Sequence, residues 1–200
     1  MAPLIDLVNE RLDDRAVSQL SQQLGVDPNT TRQAVPAALT ALLGGLSHNA
    51  AQPAGAQQLL GALEKDHDGS VLDNLGGLLG GGGAQLGQQG AGILGHIFGN
   101  RQPAVATQVG RASGLDAATA GRLLMMLAPL VLGALGRAQR QRGLDQGSLS
   151  DVLNGERQRV EQAHPQHRGL LNVLLDRDGD GQIMDDLAGM AGGLLGGGRR

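Results

Sequence analysis

Two short acidic stretches carry the residues of this sequence best suited to chemistry. In DRDGDGQIMDDL (Asp176–Leu187), Asp176, Asp178 and Asp180 stand at positions 1, 3 and 5 of a loop, with Gly181 at position 6. Alternating carboxylates on a turning backbone curl around a hard cation, and glycine permits the sharp turn. Gln182 at position 7 contributes a backbone carbonyl, and the apolar Ile183 follows. An EF-hand loop closes on a bidentate glutamate at position 12. Here that place is Leu187, and the acids have moved inward to Asp185 and Asp186. The expected calcium ligands are therefore Asp176, Asp178, Asp180, Gln182, Asp185 and Asp186, with Asp185 the preferred closing acid. The competing reading is a metal-free Asp/Gly turn that ends in a helix cap.

The earlier stretch, EKDHDGSVLDNL (Glu64–Leu75), is a poorer version. Its ligands would be Glu64, Asp66, Asp68, Ser70 and Asp73, with a longer Glu at position 1 and Asn74 at position 11. A divergent copy that keeps only the turn is the better reading of it.

Other chemistries have less support. There is no cysteine, so no disulfide, zinc–thiolate site or thiol nucleophile exists. His48, His67, His96, His164 and His167 show no paired metal spacing and no nucleophile partner. The glycine runs lack the Gly-Lys-Ser/Thr ending of a phosphate loop, and no GxSxG or HExxH occurs. An enzyme is not expected. VSQLSQQLGVDPNTTRQAV has the look of a helix-turn-helix, with Asn29, Thr30, Arg32 and Gln33 opening a would-be recognition helix over Asp27–Val35.

The elements that position these residues come in two copies. LGVDPNTTRQAVPAALTALLGGL (Leu24–Leu46) aligns with SGLDAATAGRLLMMLAPLVLGAL (Ser113–Leu135) at a constant shift of 89, which pairs Gly25 with Gly114, Asp27 with Asp116 and Gly44 with Gly133. The acidic stretches align at a shift of 112, pairing Asp66 with Asp178, Gly69 with Gly181 and Asp73 with Asp185. Both blocks occur in the same order, so duplication is the simplest explanation. Each first block reads as two helices around a tight turn. Val17, Leu20 and Leu24 share one face, Gly25 stops that helix, and Asp27 with Pro28 starts the next. Val35, Leu39, Leu42, Leu43 and Leu46 form the second stripe, which Pro36 should kink or shorten. Pro129 is the breaker in the later copy. Ser148–Ala163 reads as a further amphipathic helix ended by Pro165.

From Gly76 to Gly99, 11 of 24 residues are glycine. Interior glycine disfavours helix and strand alike, so this segment is expected to be a flexible linker with one or two short, weak helices. The predicted fold is all-α: two related helical units, 1–75 and 101–200, joined by the Gly-rich segment 76–100.

Composition narrows the function classes. With no Trp, no Tyr and a single Phe98, the core must be built from Leu, Val, Ile, Met and Ala. Sites that rely on aromatic stacking, such as those for single-stranded nucleic acid and many ligand pockets, are then not expected. The net charge of −3 divides into −5 for residues 1–100 and +2 for residues 101–200, and neither half is a nucleic-acid footprint. The N-terminus has neither the basic nor the apolar region of a secretory signal. The longest apolar stretch, Leu123–Leu132, is too short to span a bilayer. A cytoplasmic location is expected, with no transmembrane segment.

The SGLD–helix–LAPLVLGAL segment, followed by the tail LLDRDGDGQIMDDLAGMAGGLLGGG, resembles the bacterial domain-of-unknown-function 937 family (YidB-like helical proteins). The loop ending resembles the shortened calcium loops of the Excalibur type and those of dockerins. The resemblance implies a cytoplasmic helical protein with no assigned activity and carries over no catalytic residue. The expectation is an uncharacterised, non-enzymatic structural or interaction protein that binds calcium through an Asp-rich loop. Its partner would be another protein or a second copy. The alternative is a DNA-associated regulator using the Asp27–Val35 helix.

Overall fold

The computed structural model describes residues 3–67, 69–81 and 83–165. Along them run α1 (Leu4–Arg11), α2 (Asp14–Leu24), α3 (Pro28–Ala50), α4 (Pro53–Lys65), α5 (Ser70–Asp73), α6 (Leu75–Gly81), α7 (Gly83–Phe98), α8 (Gln102–Ser113), α9 (Ala117–Arg142) and α10 (Gln146–Ala163), with one 3-10 turn at Gly99–Arg101. The protein is all-α; no strand occurs among the described residues.

Local chemistry sets the helix ends. Gly25 and Gly114 both adopt left-handed backbone, at φ +73° and +76°, and stop α2 and α8. Only glycine takes that conformation without a Cβ penalty. Two residues further on, the Asp27 carboxylate accepts from the backbone N–H of Asn29 and Thr30, and Asp116 accepts from that of Thr119. These bonds satisfy donors that a helix start leaves orphaned. Both predicted hairpins therefore exist, built with the same stop and the same cap.

α3 runs through Pro36 for 23 residues, and α9 runs through Pro129 for 26. Neither proline shortens its helix. The lost hydrogen bond is outweighed by tertiary burial: every residue from Ala37 to Ser47 is buried, as is every residue from Met126 to Gly136. α9 is the one helix among the described residues long and apolar enough to cross a membrane, and 78% of its most apolar window lies inside the protein.

These two helices are the hubs of a single hydrophobic cluster that gathers buried residues from Leu4 to Val160. α3 packs against α2, α4, α8, α9 and α10, while α9 packs against α1, α5, α7 and α8. Polar side chains tie together elements distant in sequence. Arg122 on α9 donates to the Leu24 carbonyl at the end of α2. Asn49 on α3 donates to the His96 and Ile97 carbonyls at the end of α7.

The segment expected to be a linker carries α6 and α7 and belongs to this core. Leu86, Leu94 and Phe98 are buried. Its glycines have a packing role: a Cβ on Gly90 would lie 1.8 Å from the Met125 carbonyl oxygen, so α7 approaches α9 backbone to backbone. α1 was not anticipated as a separate helix. Its Leu4 and Val8 plug into the core.

Candidate functional site

The first acidic loop is seated on α9. Gly69, at φ +90°, makes the turn into α5, and Leu72 is buried beneath it. The fit depends on a second glycine: a Cβ on Gly133 of α9 would lie 2.4 Å from Val71 Cγ1. One turn along α9, Arg137 Nη2 donates to both carboxylate oxygens of Asp73, each at 2.7 Å, and lies 3.4 Å from the Gly69 carbonyl. Arg11 of α1 adds a longer contact of 3.6 Å to the same carboxylate.

This arrangement bears on the proposed ligands. Asp73 has a guanidinium on both oxygens, where calcium would need them. Asp66 caps α4 in solvent, and Glu64 and Ser70 are exposed. Asp68 lies outside the described residues. Among the described residues no group of three His, Cys, Asp or Glu is placed to hold a metal ion. The residues of the second loop, Asp176, Asp178, Asp180, Gln182, Asp185 and Asp186, all lie outside the described residues, as does His167. The remaining histidines are dispersed. His48 on α3 is held below its ordinary pKa by burial and by Arg101 nearby, and His67 by burial against the opposing pull of Asp66.

The segment read as a helix-turn-helix forms two helices around a short turn, but its exposed face lacks the charge for DNA. Asn29, Arg32 and Gln33 are exposed at the start of α3. However, Arg32 is hydrogen-bonded to Asp14, and Asp13 and Asp27 flank the same surface as helix caps. Asp27 is held below the usual carboxylate range by its bonds to Thr30, so it stays anionic there. A phosphate backbone would meet acids at this face.

Sequence reasoning missed one site. The start of α1, the Pro36 region of α3 and the end of α10 enclose a cleft of about 270 Å³. Its apolar lining includes Ile5, Pro36, Leu39 and Val160; its polar groups are Asp6, Asn9, Arg159 and His164. Beside it is Glu156, only 5% exposed. Glu156 accepts from the Ile5 backbone N–H at 3.1 Å and from Arg159 at 2.9 Å, so α10 caps the N-terminus of α1. A signal for it existed: Glu156 sits in the stripe Leu149, Leu153, Val160, where an apolar residue is expected.

Fold and site together define an all-α protein with two long buried hub helices and an acidic loop clamped to one of them by arginine. The chain belongs to a bacterial family of proteins of unknown function (DUF937), whose model matches residues 6–138, from α1 into the last turns of α9. No curated protein and no solved structure matches it.

Proposed function

We propose that this chain is a non-enzymatic, cytoplasmic interaction protein in which acidic loops act as docking and cation-binding elements. The observation that supports this is the seating of the Gly69–Asp73 loop on α9. Its carboxylate is used to hold a loop against a helix. The second loop keeps more carboxylates, Asp176, Asp178, Asp180, Asp185 and Asp186, and that charge density favours a divalent cation, calcium by its oxygen donors. The partner is another protein or a second copy, and the Ile5–Val160 cleft offers an apolar floor with a mixed-charge rim for such a contact.

The test is calcium titration by calorimetry on the wild type and on Asp178→Ala. Binding heat in the wild type that disappears in the variant supports the second loop. Equal heats, or none in either protein, overturn it. The DNA reading draws on one observation, the exposure of Asn29, Arg32 and Gln33. A gel-shift titration at low salt decides it, because an electrostatic binder shows itself there first.

A further inference from the structure

From Leu4 to Leu24 the chain contains neither glycine nor proline, yet it does not form one helix. Leu4, Val8, Leu12, Ala16, Leu20 and Leu24 recur at every fourth position, the spacing of neighbours along a helix surface. The helix is interrupted at Leu12, whose ψ of +51° turns the chain. Asp13 then starts α2 afresh by accepting from the Ala16 N–H at 2.8 Å. The break thus has an aspartate cap but no helix-breaking residue, and tertiary contacts hold α1 folded back. Those contacts lie far along the chain. α1 packs on α9 and α10 and buries Leu4 and Val8, Glu156 receives the Ile5 N–H, and Asp73 faces Arg11 at 3.6 Å.

We propose that the Leu12–Asp13 joint is a hinge and that α1 is exchanged between two copies of this chain, each α1 seated on the other's α9 and α10. The exchange rests on the reading above that the partner is another protein or a second copy, and it commits to the second copy. Opening the joint merges α1 and α2 into one helix, Leu4–Leu24, about 31 Å long. Asp13, Asp14 and Arg15 are exposed, so the joint straightens in solvent and not inside the core. The merged helix regains backbone hydrogen bonds across the joint, and the Ala16 N–H passes from the Asp13 side chain to the Leu12 carbonyl. What it lacks is cover for Leu4 and Val8, and the vacated seat on a second copy supplies it. That seat matches α1 in charge. It offers a buried carboxylate to the N-terminal N–H groups, where the helix dipole is positive, and a second carboxylate to Arg11. Because α9, α10 and the Asp73 loop build it, the seat presents the same contacts to an α1 from either chain. Exchange of an identical element alters only the hinge, which makes it a low-cost route to a dimer.

The test uses the full chain, refolded from urea over a range of concentrations and followed by sedimentation. The wild type should form a dimer. Asp14→Pro fits the folded-back joint, because Asp14 is the first residue of α2 and Asp13 before it is extended, but it cannot lie inside a continuous helix. It should weaken dimerisation by about a hundredfold or more. Asp14→Ala, which loses the Arg32 contact without breaking a helix, is the control and should dimerise at least as well as the wild type. Asp13→Ala removes the cap that the folded-back form uses and should strengthen dimerisation about fivefold. A wild type that is monomeric at every concentration, or a dimer that Asp14→Pro leaves unchanged, overturns the exchange; neither result touches the calorimetric test of the acidic loop. The cysteine-free chain lets the contact itself be identified. Arg11→Cys and Asp73→Cys are made in separate chains, refolded together and treated with a short bismaleimide. A peptide bearing the Arg11→Cys thiol, linked to one bearing the Asp73→Cys thiol of the other chain, is the expected product by mass spectrometry. Its absence, while the double variant closes within one chain, overturns the seating. Should Asp14→Pro fail to fold, Asp13→Ala and this cross-link decide.

Discussion

Arg137 donates to both carboxylate oxygens of Asp73 at 2.7 Å across 64 positions of sequence, and so fastens the first acidic loop to the hub helix α9. The pair is unequal in exposure, with the Arg137 side chain 23% exposed and the Asp73 side chain 62%. Its worth lies less in free energy than in position. It holds a short helix of four residues, too short to be stable alone, over the glycine that makes room for it.

Removing the guanidinium tests that role. Arg137→Met should cost about 0.2–1 kcal/mol in global stability, the range for an exposed pair. Amide exchange at Leu72, which bonds to the Gly69 carbonyl, should accelerate well beyond that. Unchanged exchange at Leu72 would show that apolar contact alone holds the loop.

Two glycines of α7 should respond in opposite directions. Gly90→Ala places a Cβ against the Met125 carbonyl, which cannot move aside, and should cost about 3 kcal/mol or more, the upper end of overpacking. Gly92 faces open space, so Gly92→Ala should stabilise by about 0.5–1 kcal/mol through helix propensity. Urea unfolding followed by far-UV circular dichroism reads both, since the chain has no Trp or Tyr to report by fluorescence. Similar effects at the two sites would contradict the close approach of α7 to α9.

Glu156→Ala leaves the Ile5 N–H without its acceptor and should destabilise by about 1–3 kcal/mol. Glu156→Gln keeps an acceptor oxygen and should lose less. Hydrogen exchange at Ile5 separates the two variants, and equal protection in both would mean that α1 is held by Leu4 and Val8 rather than by its cap.

The cap residues predict the acid limb of stability. Asp27, Asp116 and Asp145 all titrate below the ordinary 3.8, chiefly through bonds from the Thr30, Thr119 and Ser148 hydroxyls. A lowered folded pKa contributes stability that is fully present above the unfolded value and lost as pH falls through the folded one. The melting temperature should therefore be insensitive to these groups at neutral pH and fall steeply in acid below about pH 4. Asp27→Asn retains a capping oxygen but cannot titrate, so its acid limb should be shallower. A melting profile parallel to the wild type would remove Asp27 from the account.

How much was legible in the sequence depends on the range of the interaction. Helix stops and starts were readable, because Gly25, Asp27, Gly114 and Asp116 act on backbone groups within a few residues. The stripes Val17–Leu24 and Val35–Leu46 were readable because periodicity identifies a buried face. The all-α class follows from these alone. Tertiary structure decided the rest. Whether Pro36 breaks α3 depends on how much burial surrounds it, and whether a glycine run is a tether or a packing surface depends on a helix some 35 positions away: Gly90 has meaning only against Met125. Asp73 looked like a metal ligand because spacing cannot show that Arg137 will reach it. A carboxylate at loop spacing suits a cation of either kind, an ion from solution or a side chain of the same molecule, and only the fold brings the second within 2.7 Å.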